Sequence, residues 1–365
     1  MPLKYIDDFR DPALARAAVA RIEAAWSGPS VRVMEVCGTH TMAIARNGIR
    51  SLVSPRITLI SGPGCPVCVT PDGYIDAAIS LGRRDGAVLA TFGDMVKVPG
   101  TESSLEKERS QGADVRVVYS PLDAVAIAAA EPGREVVFLG VGFETTAPAI
   151  AGAILAARER GVANFSVLAS VRTIPGAMAI LAADPEIRIE GFLCPAHVSA
   201  IIGADAYRPI AETFGIPCVV AGFEPLDILL GLAMILDQKK AGRAAVENEY
   251  SRVVTASGNA KARTVIDRVF ETSDAGWRGI GVLPGSGLAI RAEHAAFDAA
   301  ARFGVAVPAE SAATACRCGD VLKGKVAPDA CPLFGTACTP DAPVGPCMVS
   351  TEGTCAAHYK YGVRT

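Results

Sequence analysis

Neither sign of charge dominates this 365-residue chain, no apolar run is long enough to cross a membrane, and its start carries no export pattern. The 35 basic residues nearly balance 38 acidic ones, for a formal net charge of −3. That balance excludes a nucleic-acid binder driven by phosphate contacts. The most membrane-like stretch, Ile228 to Leu236, is nine residues between Asp227 and Asp237. Spanning takes about 20 apolar residues, so this stretch reads as a buried helix, even with a mean hydropathy of +0.33. The opening MPLKYIDDFRDP has no basic region leading into an apolar one, so no secretory signal is visible. The expectation is a cytoplasmic protein. Half of the residues are apolar, far too many for a disordered chain.

Cysteine is what the chain has in excess. There are eleven, and a cytosolic chain keeps its thiols reduced, so they are not the framework of a secreted domain. Cys37, Cys65 and Cys68 lie near the start, and Cys194 and Cys218 stand alone in apolar runs that make them small core residues. Cys316, Cys318, Cys331, Cys338, Cys347 and Cys355 crowd the tail. Thiols gathered among Pro and Gly, with few apolar runs, predict a small module stapled by metal.

Between the two groups the pattern is regular. Asp11-Pro12 opens a helix whose apolar face is Leu14, Ala18, Ile22 and Trp26. Short apolar runs then alternate with helical stretches: Val31–Val36, Ile57–Ile60, Ala87–Phe92, Val115–Val118, Val136–Leu139, Phe165–Ala169, Phe192–Cys194 and Cys218–Ala221. Continuous apolar strands between helices mean parallel sheets covered on both faces, the α/β class. So many strands predict two doubly wound parallel-sheet domains, with a single larger sheet as the alternative, and the tail cysteines add a small Cys-rich iron–sulfur domain. The expected divisions are an N-terminal helix within 1–30 packing on the C-terminal domain, α/β domains at 31–134 and 135–250, and a C-terminal domain at 251–365.

In parallel sheets, ligands gather at the carboxyl ends of strands. Unusual loops fall at such ends: Glu35 to His40, Ser61 to Cys68, Phe92-Gly93-Asp94 and Gly142 to Thr146. Cys65 and Cys68 form a CxxC, spaced to close a disulfide, and a helix start just beyond would favour thiolate. The same pair is also half of a zinc site that Cys37 and His40 complete if the loops meet. Redox chemistry, transition-metal chemistry and structural zinc all stay open on these residues. His40 stands one helical turn from Cys37 and suits base, ligand or donor. Asp94 and Glu144 suit acid, base or supporting roles in the same cleft. His197, after another strand end, reads as a pocket residue or a satisfied structural histidine. The tail has no paired CxxC and little histidine. Irregular thiolate spacing suits an iron–sulfur cluster better than four-thiolate zinc, though both remain possible.

Eight motifs then bring a family into view. MEVCGTHT (Met34–Thr41), SGPGCPVCV (Ser61–Val69), TFGDMVKVPG (Thr91–Gly100), VYSPLDA (Val118–Ala124), GFETTAP (Gly142–Pro148), VAGFEPLD (Val220–Asp227), CPLFGTACTP (Cys331–Pro340) and MVSTEGTCAAHYKY (Met348–Tyr361) occur in this order. The chain resembles the HypD family of hydrogenase formation proteins from end to end. The resemblance implies two α/β domains and a domain with a [4Fe–4S] cluster. It also implies a cytoplasmic scaffold that assembles the Fe(CN)2CO group of [NiFe]-hydrogenases. Its implied partners are a HypC-type chaperone, a HypE-type cyanide donor and, indirectly, the hydrogenase large subunit. No nucleic acid or membrane is expected. The family's recurring N-terminal cysteines fall on Cys37, Cys65 and Cys68, and its cluster ligands on Cys318, Cys331, Cys338 and Cys355. Cys316 and Cys347 look optional. The rival readings are a free-standing iron–sulfur-linked thiol–disulfide oxidoreductase and a zinc-stabilised binding module.

Overall fold

The computed structural model describes residues 8–308 and 315–362. The stretches 309–314 and 363–365 of the expected C-terminal domain lie outside the described residues. Eleven strands form among those described: β1 (Val31–Glu35), β2 (Ile57–Ser61), β3 (Ala87–Thr91), β4 (Val115–Val117), β5 (Glu135–Gly142), β6 (Phe165–Arg172), β7 (Gly191–Pro195), β8 (Cys218–Ala221), β9 (Val246–Asn248), β10 (Phe270–Trp277) and β11 (Gly281–Ile290). Each of the eight apolar runs became a strand. In β3, β7 and β8 every residue is buried, as a strand covered on both faces requires.

One sheet is parallel throughout, in the order β2-β1-β7-β8-β9. The other runs β10-β11-β6-β5-β3-β4 and is mixed: β4, β3, β5 and β6 are parallel, while β11 pairs antiparallel with both β6 and β10. The sheets therefore interleave along the chain, and the expected division at 134/135 cuts between β4 and β5 of a single sheet. The physical reason is that an apolar strand followed by a helix fits any parallel sheet. Nothing local tells β1 and β2 to wait for β7. The second sheet also recruits its antiparallel hairpin from the segment expected to belong to the C-terminal domain.

The N-terminal helix, Pro12–Ala25, also departs from expectation. It packs on the helix Pro225–Lys240 of the first sheet instead of on the C-terminal domain. That second helix buries Ile228, Leu229, Leu232, Ala233, Ile235 and Leu236, so its outer side needs an apolar cover. Ala18 and Ile22 supply one, Arg21 pairs with Asp237 (2.7 Å), and Leu14 of the expected face stays exposed. Asp11 caps the helix through Ala13 N–H (2.6 Å), a contact worth about 1 kcal/mol. No helix among the described residues is long and apolar enough to cross a membrane.

A continuous apolar core lies between the sheets. It includes Met34 and Phe192 of the first sheet, Val137 and Leu168 of the second, Cys65 and Cys68, and Leu322 of the tail. The CxxC turn thus sits where three parts of the fold meet.

Candidate functional site

β1 and β2 are neighbours with Glu35 opposite Ser61, so the loops leaving their carboxyl ends start side by side. Gly62 N–H donates to Glu35 O (2.7 Å) and Gly38 N–H donates to Gly64 O (3.0 Å). Gly64 packs so tightly on this neighbour that an added Cβ would stand 2.1 Å from Cys37 N. Only glycine allows that approach. The two loops meet, as the zinc reading requires.

Cys37 occupies the N-cap of the helix Gly38–Arg46, with 8 % of its surface exposed. Behind it lies Glu35, a carboxylate buried to 1 % that sequence reasoning used only as a loop residue. Glu35 Oε2 accepts Cys37 N–H (3.1 Å) and Oε1 accepts the Thr41 hydroxyl (2.5 Å). Burial pushes the Glu35 carboxyl up to about 7. Burial, followed by the negative charge of Glu352, pushes the Cys37 thiol up to about 12. At neutral pH Cys37 is a thiol.

Cys65 and Cys68 are joined as a disulfide, with Cα atoms 5.3 Å apart. They sit on a turn, and the next helix begins only at Asp72. The group aimed at Cys65 Sγ is the N–H of Cys68 (3.2 Å), not that helix. On the other side Cys65 Sγ lies 3.3 Å from Ser350 Oγ, in the segment between Cys347 and Cys355. Asp94, carried by the turn Gly93–Met95 after β3, fixes this segment. Its Oδ2 accepts Ser350 Oγ (3.3 Å), Thr351 N–H (3.1 Å) and Thr351 Oγ1 (2.9 Å). Thr39 of the CGTH loop donates to Glu352 (2.6 Å), and Gly38 has Glu352 where its Cβ would be. Ser350, Thr351 and Glu352 were visible only as part of a motif. Nothing in their spacing from Asp94, over 250 residues, announces the contact.

His40 is wholly buried. Its Nε2 faces the carbonyls of Gly222 (2.8 Å) and Ala221 (3.2 Å), both acceptors, so Nε2 carries the proton. Its Nδ1 lone pair has no partner among the described residues. Burial lowers the imidazole to about 4, keeping it neutral. Phe223 links it to His197, with ring centroids 4.8 and 4.1 Å away, and burial also lowers His197. Glu144 is elsewhere in its bonding: Oε1 accepts Ile174 N–H (2.9 Å), Oε2 has no partner among the described residues, and burial raises it to about 7. No hydrogen bond joins it to Cys37, the CxxC or Asp94 among the described residues.

All six tail cysteines line one pocket, with Phe334 and Met348 among its apolar walls. Convergence alone does not separate the expected four from Cys316 and Cys347. Cys355 stands among the others: burial first, then the charges of Cys316, Cys318, Cys338 and Cys331, push its thiol up. Among the described residues no three His, Cys, Asp or Glu already stand at metal-holding distance. The pocket offers sulfur donors and apolar surface. Cys194 and Cys218 are fully buried in β7 and β8, as expected of core residues.

The family model described as "Hydrogenase formation hypA family", HypD, matches residues 13–362. This chain belongs to the HypD family. It is 49 % identical to a hydrogenase maturation factor HypD of Azotobacter vinelandii, over 99 % of this chain and 97 % of that protein. The homologue of Rhizobium leguminosarum bv. viciae is 48 % identical over 99 % and 96 %. That of Escherichia coli K12 is 43 % identical over 98 % of each chain. The general role of this family member is hydrogenase maturation.

Proposed function

We infer that the chain is a cytoplasmic scaffold on which the Fe(CN)2CO group of a [NiFe]-hydrogenase is assembled. In this reading it works with a HypC-type chaperone, cyanide arrives through a HypE-type partner, and the iron unit passes to the hydrogenase large subunit. The observation that carries it is the meeting of Cys37, the CxxC turn and the segment leading into Cys355 at one set of strand ends. Iron bearing cyanide and carbon monoxide is the cargo, and it favours soft sulfur donors. Cys37 is the anchor for iron or for a partner's thiolate. Its thiol must release a proton on binding, and Glu35 holds its backbone in place meanwhile. His40 presents a lone pair at Nδ1 with its tautomer fixed by two carbonyls, and its lowered basicity suits a ligand better than a base.

The tail donor set is thiolate with apolar walls, which fits a [4Fe–4S] cluster held by Cys318, Cys331, Cys338 and Cys355. When bound, such a cluster supplies single electrons. Opening the Cys65–Cys68 disulfide takes two electrons and two protons and yields two thiols, which can then serve as iron ligands. Asp94 holds Ser350 against Cys65 in the disulfide form. Burial disfavours the free-standing oxidoreductase: Cys65 is 3 % and Cys68 0 % exposed. A bulky disulfide substrate meets far less open sulfur than a small iron unit handed over at the adjoining Cys37 loop requires.

The test is anaerobic co-purification with the HypC-type partner, followed by infrared spectroscopy of bound cyanide and CO. Cys37→Ala should stay folded, keep its iron–sulfur absorbance and lose the infrared bands. Full CN/CO bands in that variant would rule Cys37 out as the anchor.

A further inference from the structure

The first sheet ends at β2, which has no strand on its far side. The register against β1 fixes which way each residue of β2 points. Val31 N–H donates to Arg56 O (2.8 Å) and Gly62 N–H to Glu35 O (2.7 Å), with Val31 opposite Ile57 and Glu35 opposite Ser61. In a parallel ladder this turns the backbone groups of Thr58 and Ile60 toward β1 and those of Leu59 and Ser61 outward. Arg50 covers the outward Leu59 carbonyl through Nε (3.3 Å) and reaches Ser61 Oγ through Nη2 (3.3 Å). What the edge still presents is rich in donors: the N–H groups of Leu59 and Ser61 and the guanidinium beside them.

These groups face a cavity of about 330 Å³ between β2 and the tail. Its walls carry Arg32, Arg50, Lys325 and His358 and no carboxylate. Arg32 is bonded to Gly324 O (2.6 Å), Lys325 is paired with Glu186 and Asp184, and His358 has Asp329 within 3.8 Å. Arg50 has no carboxylate at ion-pair distance among the described residues. Among the described residues the edge has no strand beyond it, and it opens into this cavity. Arg50, whose nearest opposite charge is the buried Glu35, has room there for a second carboxylate. We propose that this edge docks an extended, acidic segment of a partner protein, which adds to β2 as a strand while one of its carboxylates pairs with Arg50. The place has a consequence for the site. Thr41 and Ser61 line the same cavity, and both hold Glu35, the carboxylate that secures Cys37 N–H. The docked segment lies at the back of the Cys37 loop. The inference stands on the sheet edge and the charges, whatever metal Cys37 binds.

The probe is a fluorescein-labelled peptide of alternating glutamate and valine, added to the full chain and followed by fluorescence anisotropy. A lysine–valine peptide is the control. The glutamate peptide should bind and the lysine peptide should not. Arg50→Glu should weaken binding by about tenfold or more, and Arg50→Gln by less. Salt at about 0.5 M should weaken it too. Methylating the backbone nitrogens on both edges of the probe keeps its charge and should abolish strand pairing, so binding should be lost. If Arg50→Glu does not fold, the Gln variant and the methylated probe decide the matter. Equal binding of both peptides, no binding at all, or binding that survives methylation or Arg50→Gln unchanged overturns the proposal. Full competition by glutarate at the probe's own concentration also overturns it, because the site would then take a small carboxylate and no strand.

Discussion

Cys37, Cys65 and Cys68 hang from the ends of β1 and β2, and the ladder between those strands places them. The six tail cysteines stand on short helices and turns, among them Cys318–Leu322, Pro346–Val349 and Thr354–Tyr361. None of those helices exceeds eight residues, too short to be stable alone. The only bridge within the tail, among the described residues, is the isolated pair Phe334↔Cys338. The first group is fixed by backbone and by close approach at glycine. The second has little backbone support, and its thiols fill the middle of the module. A site of the first kind is complete before its ligand arrives. A site of the second kind gains folding free energy from what it binds.

The largest expected effect tests the second half of that comparison. If the tail holds the proposed [4Fe–4S] cluster, Cys355→Ser should remove it, taking iron from about four per chain to near zero and the visible absorbance with it. Residues 315–362 should become sensitive to protease while the two sheets stay intact. Loss of iron in Cys347→Ser with retention in Cys355→Ser would show that a different four cysteines bind.

Next comes the strand-end site. Gly64→Ala puts a Cβ 2.1 Å from Cys37 N and 2.2 Å from Val36 C, backbone atoms that cannot step aside cheaply. The cost should be roughly 3 kcal/mol or more, read as a fall in unfolding midpoint with tail iron retained at low temperature. A neutral Gly64→Ala would mean that the loops do not meet so closely.

Glu144 sharpens the comparison within the sheeted part. Its folded pKa is raised from 4.5 to about 7 by burial, so the folded state holds the proton more tightly than the unfolded chain. Stability from this group is full below pH 4.5 and is lost as pH rises through about 7. Glu144→Gln should therefore be relatively more stable at pH 8 than at pH 5, by up to roughly 3 kcal/mol. Thermal melts at the two pH values check it, and parallel pH profiles for the two proteins would contradict it.

The smallest effect has the opposite sign. Hydrogen bonds from Arg83 and then Ser103 hold the Glu108 carboxyl down at about 2. Its contribution is present above pH 4.5 and is lost as pH falls toward 2. Glu108→Gln should flatten the acid limb of the stability profile and leave tail iron untouched at pH 7.

The sequence by itself determined the class of fold, because an apolar run buried on both faces can be read without its neighbours. It also placed the CGTH, CxxC and Asp94 loops at strand ends, where the structure has them. Cys37 and Cys65 could be expected to meet because adjacent strands carry them. Partnership at long range was beyond it. Whether β1 pairs with β3 or β7, whether Pro12–Ala25 covers Pro225–Lys240 or the tail, and that Asp94 holds Ser350 and Thr351 are decided by which apolar surfaces remain uncovered once local elements exist. Burial is likewise a tertiary quantity. The same Glu that is an ordinary acid in the unfolded chain becomes a near-neutral carboxyl at position 35 or 144 only when the sheets close over it and take its water away.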